Sequence, residues 1–308
     1  MTSKDGNNTM IHNMLGSSMA NIISRCFTHP LDTAKARMQA AGTTYRGPLE
    51  ILRSGSSLYR GLSTVIIGGT PGSILYFCSY EFLKEQFRDE NGKSDNFLVH
   101  FGGGMLAETV ALVVYVPVDV LKERMQVNFS SSNPAYYRNA FHGLSEIWKY
   151  EGLSGIYRGY WATLMSFGPF SALYFCFYEQ FKAMAVVQNR RKSLGNQPEE
   201  IIHENDNKSD LPFTSILLCS CSAGALASFI TSPLDLAKLR LQVQRGGRRA
   251  SSEQQHRNMV DVLHKTWAEN GITGLWRGAG ARVLHFAPST TVTMTSYETF
   301  KSFFAKHV

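Results

Sequence analysis

The sequence predicts an all-α membrane protein, with six transmembrane helices in three tandem two-helix repeats around a central cavity. Three observations predict it. Charge-free stretches of span length recur at Gly61–Tyr80, Tyr160–Tyr178 and Pro212–Leu234, and each approaches the roughly 20 residues that cross a bilayer core as a helix. One motif occurs three times without gaps, as PLDTAKARMQ (Pro30–Gln39), PVDVLKERMQ (Pro117–Gln126) and PLDLAKLRLQ (Pro233–Gln242). Two further motifs follow each copy in constant order: LYRG, IYRG and LWRG at 58–61, 156–159 and 275–278, then YEFLK, YEQFK and YETFK at 80–84, 178–182 and 297–301. Repetition at this spacing marks stacked copies of one supersecondary unit.

Each repeat reads as an apolar helix ending in Pro-x-Asp-x-x-Lys-x-Arg-x-Gln, a polar loop, the aromatic-Arg-Gly triplet, and a second apolar helix. A polar N-terminus (1–9) precedes repeat 1 (10–87) and repeat 2 (95–186). A polar linker (187–211) leads into repeat 3 (212–305). The expected spans are 10–40, 62–87, 95–127, 160–186, 212–244 and 279–305. An even number of spans puts both termini on one side. The first loop, Ala40–Ser57, is short and lacks the pair seen as Glu151–Gly152 and Asn270–Gly271. The linker is poor in apolar residues, a composition that does not form a packed core.

Composition narrows the function. Only 18% of the residues are charged and the net charge is +7, a balance that suits an anionic membrane surface, an acidic solute or nucleic acid. No zinc-finger spacing, aromatic RNA-binding motif or basic helical stripe occurs, so no nucleic-acid partner is expected. The five cysteines (Cys26, Cys78, Cys176, Cys219 and Cys221) are odd in number and lie mostly in apolar stretches, unlike a secreted disulfide framework. Residues 1–10 have neither a secretory apolar core nor an Arg-rich transit pattern. A mean hydropathy of −0.15 leaves a soluble helical enzyme open on composition alone; the repeat decides against it. No nucleophile–base pair, metal-ligand spacing or glycine-rich nucleotide loop is present, so neither an enzyme, a cofactor nor a resident metal is expected.

The motifs carry physical consequences. A proline inside a span removes a backbone hydrogen bond and kinks the helix, which lets Pro30, Pro117 and Pro233 steer three helices toward one end of a bundle. Asp and Lys three residues apart share a helix face. They can pair locally, or each Asp can meet the Lys of the next repeat around a ring. Ionisable groups in a span are costly unless paired, and usually face a cavity. By the same rule Arg25 and Glu108, inside the first and third spans, either line the cavity or pair.

On these motifs the chain resembles the mitochondrial carrier family over nearly its whole length. The resemblance implies a monomeric solute carrier of the mitochondrial inner membrane. It implies that Asp32, Lys35, Asp119, Lys122, Asp235 and Lys238 form a matrix-side gate braced by Gln39, Gln126 and Gln242. Glu81, Lys84, Glu179, Lys182, Glu298 and Lys301 would form a cytosolic gate, with Tyr80, Tyr178 and Tyr297 as braces. Two gates that open in turn give alternating access to a solute held at mid-membrane. The triplets containing Arg60 and Gly61, Arg158 and Gly159, and Arg277 and Gly278 begin the second helices, and helix N-termini bind phosphate well; the resemblance implies cardiolipin there. A channel, uncoupler or scaffold on the same frame is the reading of another class, and intact pairs at both ends argue against it.

In the family the solute is contacted midway along the even-numbered helices, which implies Gly68, Gly69, Ser166, Phe167, His285 and Phe286 as contact residues. A proline follows each pair, at Pro71, Pro169 and Pro288. No Arg or Lys stands among the six, and a buried anion needs a partner. A cation or neutral solute is therefore expected. His285, with Met165, Cys176 and Met294 near it, reads as a soft donor set for a transition-metal cation. The stretches Gly68–Lys84 and Arg282–Lys301 resemble the mitoferrins, the iron-carrying branch. The short first loop and the frame of Tyr157–Phe170 resemble the S-adenosylmethionine carriers instead. Metal-cation transport is the leading expectation and an organic-cation or amino-acid-derived solute the alternative.

Overall fold

A computed structural model describes residues 22–86 except 41, 43, 44, 46, 54 and 56; 97–128; 137–194; 211–245; and 255–295 except 287, 293 and 294. Among these residues there is no strand. The helices are α1 (22–39), α2 (Pro48–Arg53), α3 (Leu62–Gln86), α4 (Phe97–Val127) and α5 (Ala140–Ile156). They continue as α6 (Tyr160–Leu194), α7 (Phe213–Ile230), α8 (Ser232–Val243), α9 (Met259–Leu275) and α10 (279–286 and 288–292). α7 and α8 meet at Thr231 and follow one another as the first helical stretch of repeat 3. Leu62–Tyr80, Gly102–Val127 and Phe213–Ile230 are each long and apolar enough to cross a membrane.

The motif prolines sit differently in the helices that carry them. α4 stays continuous through Pro117. The third repeat breaks at Thr231, and Pro233 falls in the first turn of α8. Two residues before the proline, Thr28 and Thr231 donate to the carbonyls of Ser24 and Ala227, each at 2.7 Å. Such back-bonds favour a bend.

Two expectations need correction. The loops inside repeats 2 and 3 are helical, not irregular: α5 and α9 have 17 residues each. Asn139 and Asn258 cap them, accepting from the backbone N–H of His142 at 2.8 Å and of Asp261 at 2.9 Å. A capping Asn satisfies a helix-end donor that has no partner within the helix. Gly152 and Gly271 kink these helices at φ +64° and +65°. The second correction is at the linker. α6 runs on to Leu194, past the expected boundary at 186; Gln, Arg, Lys and Leu in this stretch are good helix formers. Residues 195–210 of the linker lie outside the described residues.

The repeats interlock around a closed ring. Ala34, Met38 and Ile51 of repeat 1 bury against Ala281 of repeat 3, and Ser24 Oγ donates to Ser289 O at 3.2 Å. Ala162 of α6 packs into the cluster of Leu236, Ala237, Leu241 and Val262. α3 packs along α4, where a Cβ on Gly68 or Gly72 would collide with Val118 or Tyr115. Thus the second long helix of each repeat lies against the first of the next.

Candidate functional site

The converging ends of α1, α4 and α8 bring all six motif charges into one layer. Lys122 Nζ lies 2.6 Å from Asp32 Oδ2, Lys238 Nζ 2.9 Å from Asp119 Oδ2, and Lys35 Nζ 2.8 Å from Asp235 Oδ2. Each Asp therefore pairs with the Lys of the next repeat, cyclically. Among the described residues, no ion pair joins Asp and Lys of the same motif copy. Arg282 of α10 adds a second cation to Asp235, with Nε at 3.6 Å.

The glutamines sit close beneath. Gln39 Nε2 donates to Asp235 Oδ2 at 3.1 Å, and Gln126 Nε2 to Asp32 Oδ2 at 3.4 Å. Gln242 differs: its amide donates to Thr163 Oγ1 at 3.3 Å. Their backbone carbonyls take part in a second ring. Arg37 Nε donates to Gln126 O at 2.9 Å, Arg124 Nε to Gln242 O at 2.9 Å, and Arg240 Nε to Gln39 O at 3.3 Å. Ala36, Ala40 and Leu239, with Val127 and Val243, form a buried apolar cluster in the same helical segments.

This arginine ring was missed from sequence, although the Arg is present in all three motif copies. Its outer partners are unequal. Arg124 is fully buried and makes a bidentate pair with Glu151, at 2.6 and 3.0 Å, and also donates to Gln244 O at 2.7 Å. Arg240 meets the neutral Thr266 Oγ1 at 2.7 Å, and Arg37 meets Ser57 O at 3.3 Å. The inequality follows from sequence, since Asn270 stands where Glu151 stands and the first loop has no counterpart.

Above the ion layer lies a cavity of about 260 Å³. Glu108, Leu112, Tyr115 and Asp119 form one stripe of α4 along its wall, facing Ser166, Phe167 and Phe170 of α6, with Arg25, Lys238 and Arg282 also on the lining. Arg25 and Glu108 thus line the same space. A smaller cavity of about 40 Å³ borders Arg25, Gly69 and Ser73.

The expected contact residues divide. Ser166 and Phe167 line the main cavity and Gly69 the small one. Gly68 instead serves the α3–α4 packing. Phe286 packs edge-on to Phe170, with centroids 5.9 Å apart, and a Cβ on Gly224 would collide with its ring. The electrostatic neighbours of His285 are Asp32, Lys35, Lys122 and Arg25. Met165 and Cys176 are exposed and Met294 lies outside the described residues. Among the described residues, no three His, Cys, Asp or Glu side chains gather as a metal site.

At the far end of the second long helix of repeat 1, Glu81 and Lys84 are placed on α3. Their side chains, and all of Tyr297, Glu298 and Lys301, lie outside the described residues. Lys182 Nζ sits 6.0 Å from the Tyr178 ring centroid, and Glu179 is exposed.

The aromatic-Arg-Gly triplets have structural work in the fold. Gly61, Gly159 and Gly278 hold φ at +84°, +81° and +84°, a left-handed conformation that other residues rarely adopt. A Cβ on Gly159 or Gly278 would stand 2.8 Å from Cγ of Gln242 or Gln39, and one on Gly61 3.3 Å from Lys122 O. Arg60 donates to Tyr137 O, and Arg158 Nη1 to Gln244 O at 3.2 Å. These contacts tie each repeat to the next. Arg277 occupies the same position in repeat 3.

The family model for mitochondrial carrier proteins matches this chain three times, at residues 6–91, 93–189 and 209–308. The chain belongs to the mitochondrial carrier family. Its members are transporters, so the chain is a multi-pass solute carrier of the mitochondrial inner membrane. Among similar proteins, mitochondrial substrate carrier family protein E of Dictyostelium discoideum is 31% identical over 94% of this chain and 95% of its own length. Mitoferrin of the same organism is 28% identical over 96% and 95%. The mitochondrial S-adenosylmethionine carrier protein of Danio rerio is 30% identical over 87% and 88%.

Proposed function

We propose that this carrier works by alternating access and moves an amino-acid-derived organic solute bearing both a cationic and a carboxylate group. The observation that carries the reading is the pair Glu108 and Arg25 on the lining of one cavity. Glu108 offers a carboxylate to an ammonium or sulfonium, Arg25 offers a guanidinium to a carboxylate, and Phe167 supplies an aromatic face, which attracts cations. S-adenosylmethionine has all three chemistries, and relatives named for it span most of this chain. The volume of about 260 Å³ suits an organic solute better than a bare ion.

Transition-metal transport is the second reading. The position of His285 beside Asp32 and the mitoferrin relatives favour it; the exposure of Met165 and Cys176 does not.

In this mechanism the Asp–Lys ring is the matrix gate. Buried ion pairs lose much of their Coulomb energy to desolvation, so the layer closes firmly yet opens when a solute favours the other state. The Tyr-Glu-x-x-Lys motifs supply the cytosolic gate. The aromatic-Arg-Gly turns begin α3, α6 and α10, whose first N–H groups would receive cardiolipin phosphates. The carrier acts as a monomer, because its ring of repeats closes within one chain. Uptake of S-adenosylmethionine, ferrous iron, malate and ATP into proteoliposomes, measured side by side, tests the substrate. Saturable S-adenosylmethionine uptake is expected. Robust malate or ATP exchange with neither of the others moving would overturn the argument from cavity charge.

A further inference from the structure

One buried acid belongs to no repeat. Glu123 follows the ring lysine of α4, where repeats 1 and 3 carry Ala36 and Leu239. Those two are buried apolar residues, 1% and 3% exposed. Glu123 is just as enclosed, at 7%. Its Oε1 lies 3.2 Å from Lys122 Nζ, but that ammonium is already held at 2.6 Å by Asp32. Its Oε2 is buried without a hydrogen-bond partner.

The charges facing Glu123 are Lys122 on its own helix, Lys35 and Asp32 of α1, Asp119 one turn back on α4, and Lys238 of α8. Lys35 and Lys238 are committed to Asp235 and Asp119. One ammonium thus serves two carboxylates in a space closed to water. Two carboxylates sharing such a site do not both ionise readily. An unpartnered anionic oxygen costs far more when buried than an unpartnered neutral hydroxyl.

We infer that Glu123 is a proton-binding site of the closed ion layer, taking one proton at Oε2 when the layer shuts and releasing it when the layer opens. On closure, water leaves and the carboxylate accepts a proton from solvent, forming an O–H bond. On opening, water re-enters, that bond breaks, and the proton passes to the side then exposed. Each cycle of this layer therefore binds and releases one proton. Closure is favoured at low pH, whatever solute the cavity carries.

Infrared spectroscopy of the purified full-length protein in lipid vesicles, at about pH 6 and about pH 9, reads the site without a solute. The wild type is expected to show a protonated-carboxyl C=O band that is lost on substituting Glu123→Gln and kept in Glu108→Gln. Thermal unfolding should agree: the wild type loses a few degrees of stability relative to E123Q as pH rises. Glu123→Ala, which copies repeat 1, is the second variant and should also lose the band. An unchanged band and an unchanged pH profile in E123Q and E123A would overturn the inference. Failure of both variants to fold would overturn it too, since it would mean that the layer needs the ionised carboxylate.

Discussion

The unequal outer partners of the arginine ring make a quantitative test. Glu151→Asn gives repeat 2 the residue found in repeat 3. Arg124 is fully buried and would lose both charge-assisted hydrogen bonds, at 2.6 and 3.0 Å, keeping only the carbonyls of Gln242 and Gln244. Removing one partner of a buried pair costs about 3 kcal/mol or more, because the other charge stays uncompensated. At roughly 2 °C per kcal/mol for a chain of this size, the unfolding midpoint should fall by about 6 °C. The reciprocal change, Asn270→Glu, offers Arg240 a carboxylate where it now has Thr266 Oγ1 and Gln39 O, and should raise the midpoint. The assay is thermal unfolding of the detergent-purified protein followed by tryptophan fluorescence. A Glu151→Asn midpoint within a degree of wild type would refute the reasoning, since it would mean that Arg124 does not depend on Glu151.

Further outcomes are expected elsewhere. Gly278→Ala should cost about 1–2 kcal/mol for its left-handed backbone alone, and more because Gln39 must move; the unfolding midpoint reads it. Asn258→Ala removes the cap of α9 and should cost about 1 kcal/mol without changing the solute preference in uptake assays. Glu108→Gln should weaken S-adenosylmethionine uptake roughly tenfold in KM, as a lost charged contact of about 1.5 kcal/mol implies. His285→Ala should leave that uptake within about twofold, whereas a metal carrier would lose ferrous-iron uptake with it.

The repeat made the architecture legible, because three copies of one motif leave little freedom in how the helices group. The pairing inside the ring was less so. Asp32 and Lys35 share a face of α1, so sequence permits a local pair as well as one between repeats, and only the convergence of α1, α4 and α8 distinguishes them. α5 and α9 are about half apolar and amphipathic, and Asn139 and Asn258 stand at the same offset from Gly159 and Gly278, so the helices were legible in sequence although the loops were read as irregular. The azimuth of a residue around its helix was not legible. Neighbouring positions on a helix point about 100° apart, which is why Gly69 borders a cavity while Gly68 packs against Val118. Glu123 breaks the repeat in sequence, but only the structure shows that it is buried in the ion layer.

The most direct measurement of the central claim, that the six motif charges join neighbouring repeats, is a charge-swap series read by unfolding midpoint. Lys122→Asp alone places two acids together at Asp32, and Asp32→Lys alone places two bases together at Lys122. Each should lower the midpoint sharply. The double variant Lys122→Asp with Asp32→Lys restores an opposite pair across the 2.6 Å contact between repeats and should recover much of the loss. The control, Lys122→Asp with Asp119→Lys, swaps charges within one helix, leaves Asp32 and Lys238 facing like charges, and should recover none. Recovery in the control but not in the swap between repeats would contradict the ring.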